Sequence, residues 1–316
     1  MYYHSFHEEM QKRFGEKVYK LSLDGGFTCP NRDGTLDTRG CSFCLAGSGA
    51  FAASGQDIRS QLAAAKQLVG RKYTGSRYIA YFQSYTATYA PVSRLRALFE
   101  AVLEEDDICA LAVGTRPDCL PEDVLALLEE LSRRKPLWVE LGLQTVREDT
   151  ARRIRRGYPL AVYDDAARRL RAHGLEYVVH MIIGLPGETA QDAVETARYI
   201  GASGAAGIKL QLLHVLEGTD LAEEYRAGLF RTLDRDSYFR ILADCLRVLP
   251  PEVTIHRLTG DGDRKHLLAP LWSADKKRVL GSLQQYLTAQ NVVQGEALTG
   301  LSRCGIHSVF NERNPL

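Results

Sequence analysis

Three of the seven cysteines, Cys29, Cys41 and Cys44, fall within sixteen residues. The stretch reads Cys29-Pro-Asn-Arg-Asp-Gly-Thr-Leu-Asp-Thr-Arg-Gly-Cys41-Ser-Phe-Cys44. Two thiolates separated by two residues can grip one metal or cluster, because the intervening residues make a tight turn. The stretch before them is polar and rich in turn formers (Asn31, Asp33-Gly34, Gly40), so it can wrap back and bring Cys29 alongside. Three thiolates are one short of a closed tetrahedral zinc site. They suit a [4Fe–4S] cluster that keeps one iron open to a substrate or cofactor. Zinc would need a fourth ligand from His4, His7 or a distant cysteine, and it stays as the alternative. Cys109, Cys119, Cys245 and Cys304 are scattered and read as core or incidental thiols.

A second set of candidates comes from alternation within strand-like runs, where side chains two apart share a face. Glu140, Gly142 and Gln144 share one face, while Leu141 and Leu143 share the other. Lys209 and Gln211 share a face with Leu213, Gln83 ends the face of Ile79 and Tyr81, and Thr254 pairs with His256. The outer face of a barrel strand packs on helices, so the polar face is predicted to line the lumen. A wall of Glu, Gln, Lys and His there predicts a polar ligand held at the C-terminal mouth. Lys209, Gln211 and His256 are the substrate-side candidates. For each, a strand end reaching water is the competing explanation.

The elements that must position these residues recur as an apolar run followed by a helical pattern. Strand-like runs occupy 17–23, 77–82, 108–114, 137–143, 176–184, 207–213 and 253–256. Helical patterns between them cover 56–72, 92–105, 121–134, 162–173 and 190–203. That alternation predicts an α/β chain of parallel βαβ units, closed into a full or partial barrel. An open doubly wound sheet is the alternative architecture. Beyond residue 257 the alternation fades into loop, a helix over 275–289 and a tail. This divides the chain into a core, 1–257, and a C-terminal extension packed on it, 258–316.

The 316 residues are 45% hydrophobic and 25% charged, an ordinary globular balance. Lys and Arg number 40 against 39 Asp and Glu, so no global basic field draws in nucleic acid, and only a local patch can do so. The N-terminus mixes charges of both signs without an apolar signal core, and the longest apolar run, 177–185, is interrupted by His180. No membrane partner is expected, and the chain reads as a cytoplasmic protein. An odd cysteine count in a chain with a large core argues against a disulfide framework.

Six separated stretches carry a resemblance: GFTCPNRDGT around 26–35, YFQSYTATYAP (81–91), VELGLQT (139–145), HMIIGLPGET (180–189), LQLLHVLEGTDLAEEY (210–225) and IHRLTGDG (255–262). Together, over residues 1–290, they resemble the YhcC/YtqA, or MnmL, family of the radical S-adenosylmethionine (SAM) superfamily. That family is related in its radical-SAM core to the Elongator catalytic subunit and to oxygen-independent coproporphyrinogen oxidase. The spacing here, C-x11-C-x2-C, is longer than the superfamily's commonest C-x3-C-x2-C.

The resemblance implies a partial (β/α)6 barrel of the TIM type with a helical and loop extension, its cluster loop following strand one. It implies that Cys29, Cys41 and Cys44 hold a [4Fe–4S] cluster whose open iron binds SAM. Reduction then cleaves SAM to methionine and a 5′-deoxyadenosyl radical, which takes a hydrogen atom from the substrate. Phe43 would sit beside the adenine, and the backbone of Gly184 and Leu185 would approach it. The family's Gly-Gly-Glu-like turn for the SAM amino group falls at Gln83-Ser84-Tyr85-Thr86. Glu140 and Gln144 would serve the ribose or methionine part, and Arg155 or Arg156 the carboxylate. The implied substrate is tRNA at the C5 side chain of the wobble uridine, carboxymethylaminomethyl becoming aminomethyl. An electron donor such as flavodoxin or ferredoxin is implied too. The basic runs 152–156 and 276–278 are the patches for phosphate contact, and the 256–262 loop is a further substrate candidate. A small-metabolite or porphyrin-like substrate, and a zinc-stabilised binding protein without redox chemistry, are the competing functions.

Overall fold

The computed structural model describes residues 2–45, 57–70, 75–260, 262 and 264–298. Seven parallel strands form one sheet: β1 (Tyr19–Leu23), β2 (Tyr78–Phe82), β3 (Ile108–Thr115), β4 (Leu137–Gln144), β5 (Glu176–Ile183), β6 (Gly207–Leu212) and β8 (Thr254–Arg257). They lie side by side in chain order, apart from a two-residue β7 (Val215–Leu216) that leaves the sheet to pair with β9 (Leu267–Ala269). A doubly wound sheet reverses its strand order partway. This one never does, so it curls into a half-barrel, with helices on its outer face.

Those helices are α2 (Ile58–Gly70), α3 (Val92–Leu103), α4 (Glu122–Ser132), the short α5 (Glu148–Arg153), α6 (Leu160–Ala172) and α7 (Ala190–Ala202). After the two-residue strand come α8 (Asp220–Arg226) and α9 (Arg235–Val248), and α10 (Lys276–Ala289) follows the last strand. The outward residues of the strands, among them Leu21, Phe82, Val139, Leu141, Val179 and Leu210, join the helices in one buried core. The ring of Tyr286 in α10 packs 5.8 Å from Phe239 in α9, which fixes the C-terminal segment to the barrel.

The inward residues form a separate cluster: Ile79, Tyr81, Ala110, Ala112, Trp138 and Val178. An N-terminal helix, α1 (Phe6–Phe14), fills it from within, contributing Met10 with Phe6 and Phe14. Its start is fixed by a reciprocal Ser5–Glu8 capping box and its end by Gly15 at φ 77°. The strand edge at β8 is covered by the same segment, since Ile255 N donates to His4 O at 2.8 Å. Because all seven strands run the same way, the early inward residues mark the N-terminal end of the lumen. That end is apolar and plugged by α1, and the polar residues lie toward the C-terminal mouth.

Candidate active site at the barrel mouth

The cysteine loop leaves β1 under tight control. Gln61 of α2 exchanges two hydrogen bonds of 2.8 Å with the backbone of Asp24. Arg94 of α3 donates to the carbonyls of Gly25 and Gly26 at 2.9 Å each. Further on, Gly40 N donates to Asn31 O (2.7 Å) and Cys44 N to Cys41 O (3.0 Å), giving the wrapped loop and the tight turn that the spacing predicts.

A second segment clamps this loop. Residues 154–156, just past α5, offer three consecutive carbonyls to it. Ile154 O accepts from Ser42 N at 3.0 Å, and Arg155 O and Arg156 O accept from Asn31 Nδ2 at 2.8 and 3.3 Å. Arg155 Nε returns a bond to Gly40 O at 2.9 Å, and Arg116 Nη1 donates to Arg156 O at 2.9 Å. Arg116 and Arg156 both stack on the ring of Tyr158, with guanidinium carbons 5.1 and 4.7 Å from its centroid. Arg156 is 1% exposed and donates to the carbonyls of Leu143, Thr145 and Tyr158 at 3.2, 2.6 and 2.9 Å. Arg156, expected as a partner for the SAM carboxylate, thus commits Nε and Nη1 to backbone oxygens, while its Nη2 is buried without a hydrogen-bond partner among the described residues. Arg155, half-buried, is paired with Asp220 at 2.5 Å.

The three thiols on the loop are free and act on one another electrostatically. Burial pushes the Cys41 thiol up to about 11, Cys44 adds to that, and Arg116 and Asn31 oppose it. Among the described residues no three His, Cys, Asp or Glu side chains gather closely enough for one metal ion. A four-iron cube is wider than one ion and takes its thiolates correspondingly farther apart. Beside the thiols, the hydroxyls of Ser42, Ser84 and Thr86 are buried without a hydrogen-bond partner among the described residues. Thr86 N donates to Thr28 O at 3.2 Å, which ties the end of β2 to the residue before Cys29. Buried hydroxyls are almost always bonded, so this set fits a polar ligand seated over the thiols.

Backbone strain collects here. Tyr85, Gln144 and Arg155 have φ of 56°, 66° and 53°; the only other described non-glycine residue with positive φ is Asn291. Such residues cluster where surroundings force an unusual geometry for function. Gln144 folds its amide over Gly142, where a Cβ would stand 2.8 Å from Gln144 Nε2. Phe43 and Leu185 share an apolar cluster with Ile154, Ile182 and Leu213 at the mouth. Phe43, expected beside the adenine, and Leu185, whose backbone is the expected adenine contact, thus lie in one cluster. Gln83 and Gln211 are both part-exposed, and Gly184 takes φ 91° at the turn after β5.

Deeper in the lumen, Glu140 is a hub. Its side chain is 0% exposed; Lys20 Nζ lies 2.6 Å from Oε1, and Lys209 Nζ and His180 Nε2 (2.8 Å) meet Oε2. Trp138 Nε1 donates to Oε1 at 3.2 Å, and Lys209 Nζ donates to Tyr81 Oη at 3.1 Å. Burial alone would raise the carboxyl, but the two ammonium groups and His180 draw it well below the usual range. Burial pulls Lys209 down to about 7, partly offset by Glu140. The ring of His256 packs 4.6 Å from Phe6 of the plug. Glu140, Lys209 and His256 all face inward, as alternation predicts. Glu140 and Lys209 are bound to each other, however, rather than standing open in a common cavity. Lys20, Tyr81, His180, Asn31 and Arg116 were not singled out from sequence. Lys20 alternates with Ser22 against Leu21 and Leu23, and that signal could have found it. A separate cavity of about 800 Å³, lined by Tyr89, Pro117, Cys119, Leu120 and Arg169 among others, contains none of the three loop thiols.

The described residues form a parallel half-barrel with three free thiols on the loop after its first strand, at a polar mouth. The family model described as the Radical SAM superfamily matches residues 38–200, and the Radical_SAM C-terminal domain matches 205–289. The chain belongs to the radical SAM superfamily, and within it to the family of YtqA; it is an enzyme that uses a [4Fe–4S] cluster and SAM. With YtqA of Bacillus subtilis (strain 168) it is 44% identical over 296 residues, 93% of this chain and 92% of that one. With the tRNA uridine(34) acetyltransferase of Dehalococcoides mccartyi (strain CBDB1) it is 28% identical over 155 residues, 48% of this chain and 33% of that one. Its fold is similar to Elp3 of the archaeon Methanocaldococcus infernus, with TM-score 0.67 at 16% identity, covering 88% of this chain and 64% of that one. Among the described residues no helix is long and apolar enough to cross a membrane.

Proposed function

We propose that this enzyme modifies tRNA at the C5 side chain of the wobble uridine, converting a carboxymethylaminomethyl group to aminomethyl. The observation that carries this reading is the likeness, over nearly half the chain, to a protein named for uridine 34 of tRNA. The polar mouth built over the three thiols supports it. Cys29, Cys41 and Cys44 would hold the cluster. When cluster and SAM are bound, they supply a 5′-deoxyadenosyl radical able to take a hydrogen atom from carbon. The target would be the C–H flanked by nitrogen and carboxylate, substituents that stabilise the radical left behind; passing one electron to an oxidised carrier of the flavodoxin or ferredoxin class would leave an imine, whose C–N bond water would cleave to give the aminomethyl group and glyoxylate. Phe43 and Leu185 offer apolar faces to the adenine. Gln83, Tyr85 and Thr86 offer polar groups to the SAM amino end, and Gln144 to its ribose or methionine part. The wobble base would be turned out of its stack into the mouth, above Gln211, His256 and the Lys209–Glu140 pair. Helix α1 closes the far end of the lumen against water. A donor of the flavodoxin or ferredoxin class supplies the electron, and the whole operates in the cytoplasm.

Mass spectrometry of tRNA nucleosides from cells lacking the protein tests this reading. Carboxymethylaminomethyl uridine should accumulate and the aminomethyl series should disappear. Unchanged wobble nucleosides would remove the tRNA assignment.

A further inference from the structure

Asn31 lies on the cysteine loop and is 1% exposed. Its amide nitrogen faces three acceptors: Arg155 O at 2.8 Å, Arg156 O at 3.3 Å and Cys41 Sγ at 3.5 Å. A carboxamide nitrogen has two hydrogens. Two hydrogens can serve the adjacent carbonyls and the sulfur together, all three of which lie within bonding distance of the nitrogen. The amide is fixed in this sense by the two carbonyls, because a reversed amide would set its oxygen against the oxygens of Arg155 and Arg156, which have no proton to give. Its oxygen end is confined as well. A Cβ on Gly157, which has φ of +85°, would lie 2.5 Å from Asn31 Oδ1. The backbone is held by Gly40 N, which donates to Asn31 O at 2.7 Å.

We propose that Asn31 is a positioning residue that raises the reduction potential of the cluster by donating an N–H···S bond to the Cys41 thiolate. The proposal rests on the cysteine trio as the cluster ligands and is independent of the tRNA reading. Adding an electron to a cluster increases the negative charge on its thiolate sulfurs. A donor aimed at one sulfur then stabilises the reduced form more than the oxidised one, and the potential rises. Burial strengthens the effect, since no water competes for the sulfur. The clamp at 155–157 supplies what such a donor needs, an amide that cannot rotate away.

The test compares anaerobically reconstituted wild type and Asn31→Ala, matched for iron per chain, by redox titration followed by electron paramagnetic resonance without SAM. The midpoint of Asn31→Ala should be more negative than that of wild type. An unchanged or more positive midpoint at full iron content would overturn the proposal. A second measurement needs no variant: reduced wild-type protein carrying ¹⁵N only in asparagine side-chain amides should show a nitrogen coupling to the cluster spin. No coupling would overturn the proposal even if Asn31→Ala fails to hold iron.

Discussion

Replacing Glu140 with Ala should leave two buried ammonium groups without their counter-charge. The carboxylate is 0% exposed and sits between Lys20, which is 18% exposed, and Lys209, which is 4% exposed. Removing one member of a buried ion pair costs about 3–5 kcal/mol, because the remaining charge stays desolvated. In a chain of this size each kcal/mol moves the melting temperature by roughly 2 °C, so the loss should be about 6–10 °C. Lys20 can turn toward water, but Lys209 cannot. Most of the penalty should therefore belong to Lys209, and adding Lys209→Met to Glu140→Ala should recover at least half of it. Thermal and urea unfolding followed by circular dichroism at pH 6, below the value of about 7 that burial gives Lys209, measures all three proteins. A Glu140→Ala loss below about 1 kcal/mol would mean that the lumen is hydrated and the hub contributes little. A double variant no more stable than the single one would mean that Lys209 is not the orphaned charge.

Each of Cys29→Ala, Cys41→Ala and Cys44→Ala should lose most of its iron and all reductive SAM cleavage, while Cys109→Ala keeps both; iron assay and 5′-deoxyadenosine formation decide it. Burial and Lys209 push His180 down to about 4 against the pull of Glu140. Between its unfolded value near 6.5 and pH 4 the unfolded chain therefore binds more protons at this site, and His256, also held well below its usual range by burial, acts in the same sense, so stability should fall on acidification by up to about 1.4 kcal/mol per pH unit for each histidine. Burial raises Glu188 to about 7 and acts in the opposite sense above its unfolded value, so the titration belongs in a Glu188→Gln background, with and without His180→Gln; flat stability from pH 6.5 to 5, or a slope that His180→Gln leaves unchanged, would contradict the hub. Reversing charge at Lys276 and Lys277, in the first turn of α10, should weaken tRNA binding and reduce the slope of log K against log salt by roughly 1.5. An unchanged slope would take that turn out of the tRNA surface.

The cysteine trio and the inward face were legible because each depends on spacing along a short stretch. The hub was only half legible. Alternation turned Glu140 and Lys209 inward, but their pairing depends on strands 69 residues apart, and Lys20 joins from 120 residues away. The plug α1 is hard to see in sequence because Phe6, Met10 and Phe14 stand among charged residues. The clamp left no trace at all. Its acceptors are backbone carbonyls at 154–156, which any residue carries. The carbonyl contacts of Arg156 are hidden for the same reason, since an arginine buried on carbonyls and an exposed one look alike in sequence.

What the clamp joins explains why strain gathers at the mouth. Arg156 holds Leu143 O and Thr145 O on either side of Gln144, while the carbonyls of Arg155 and Arg156 hold Asn31 on the cysteine loop. The end of β4 and the thiols are thus braced against the same three residues, and a shift of one is passed to the other. Chemistry that directs a radical at one C–H bond needs that rigidity, because an error of about 1 Å in placement is costly. Positive φ at Gln144 and Arg155 is the local cost of the bracing. The buried hydrogen bonds of Asn31, Arg116 and Arg156 offset it, so the strained residues and the pins belong to one device.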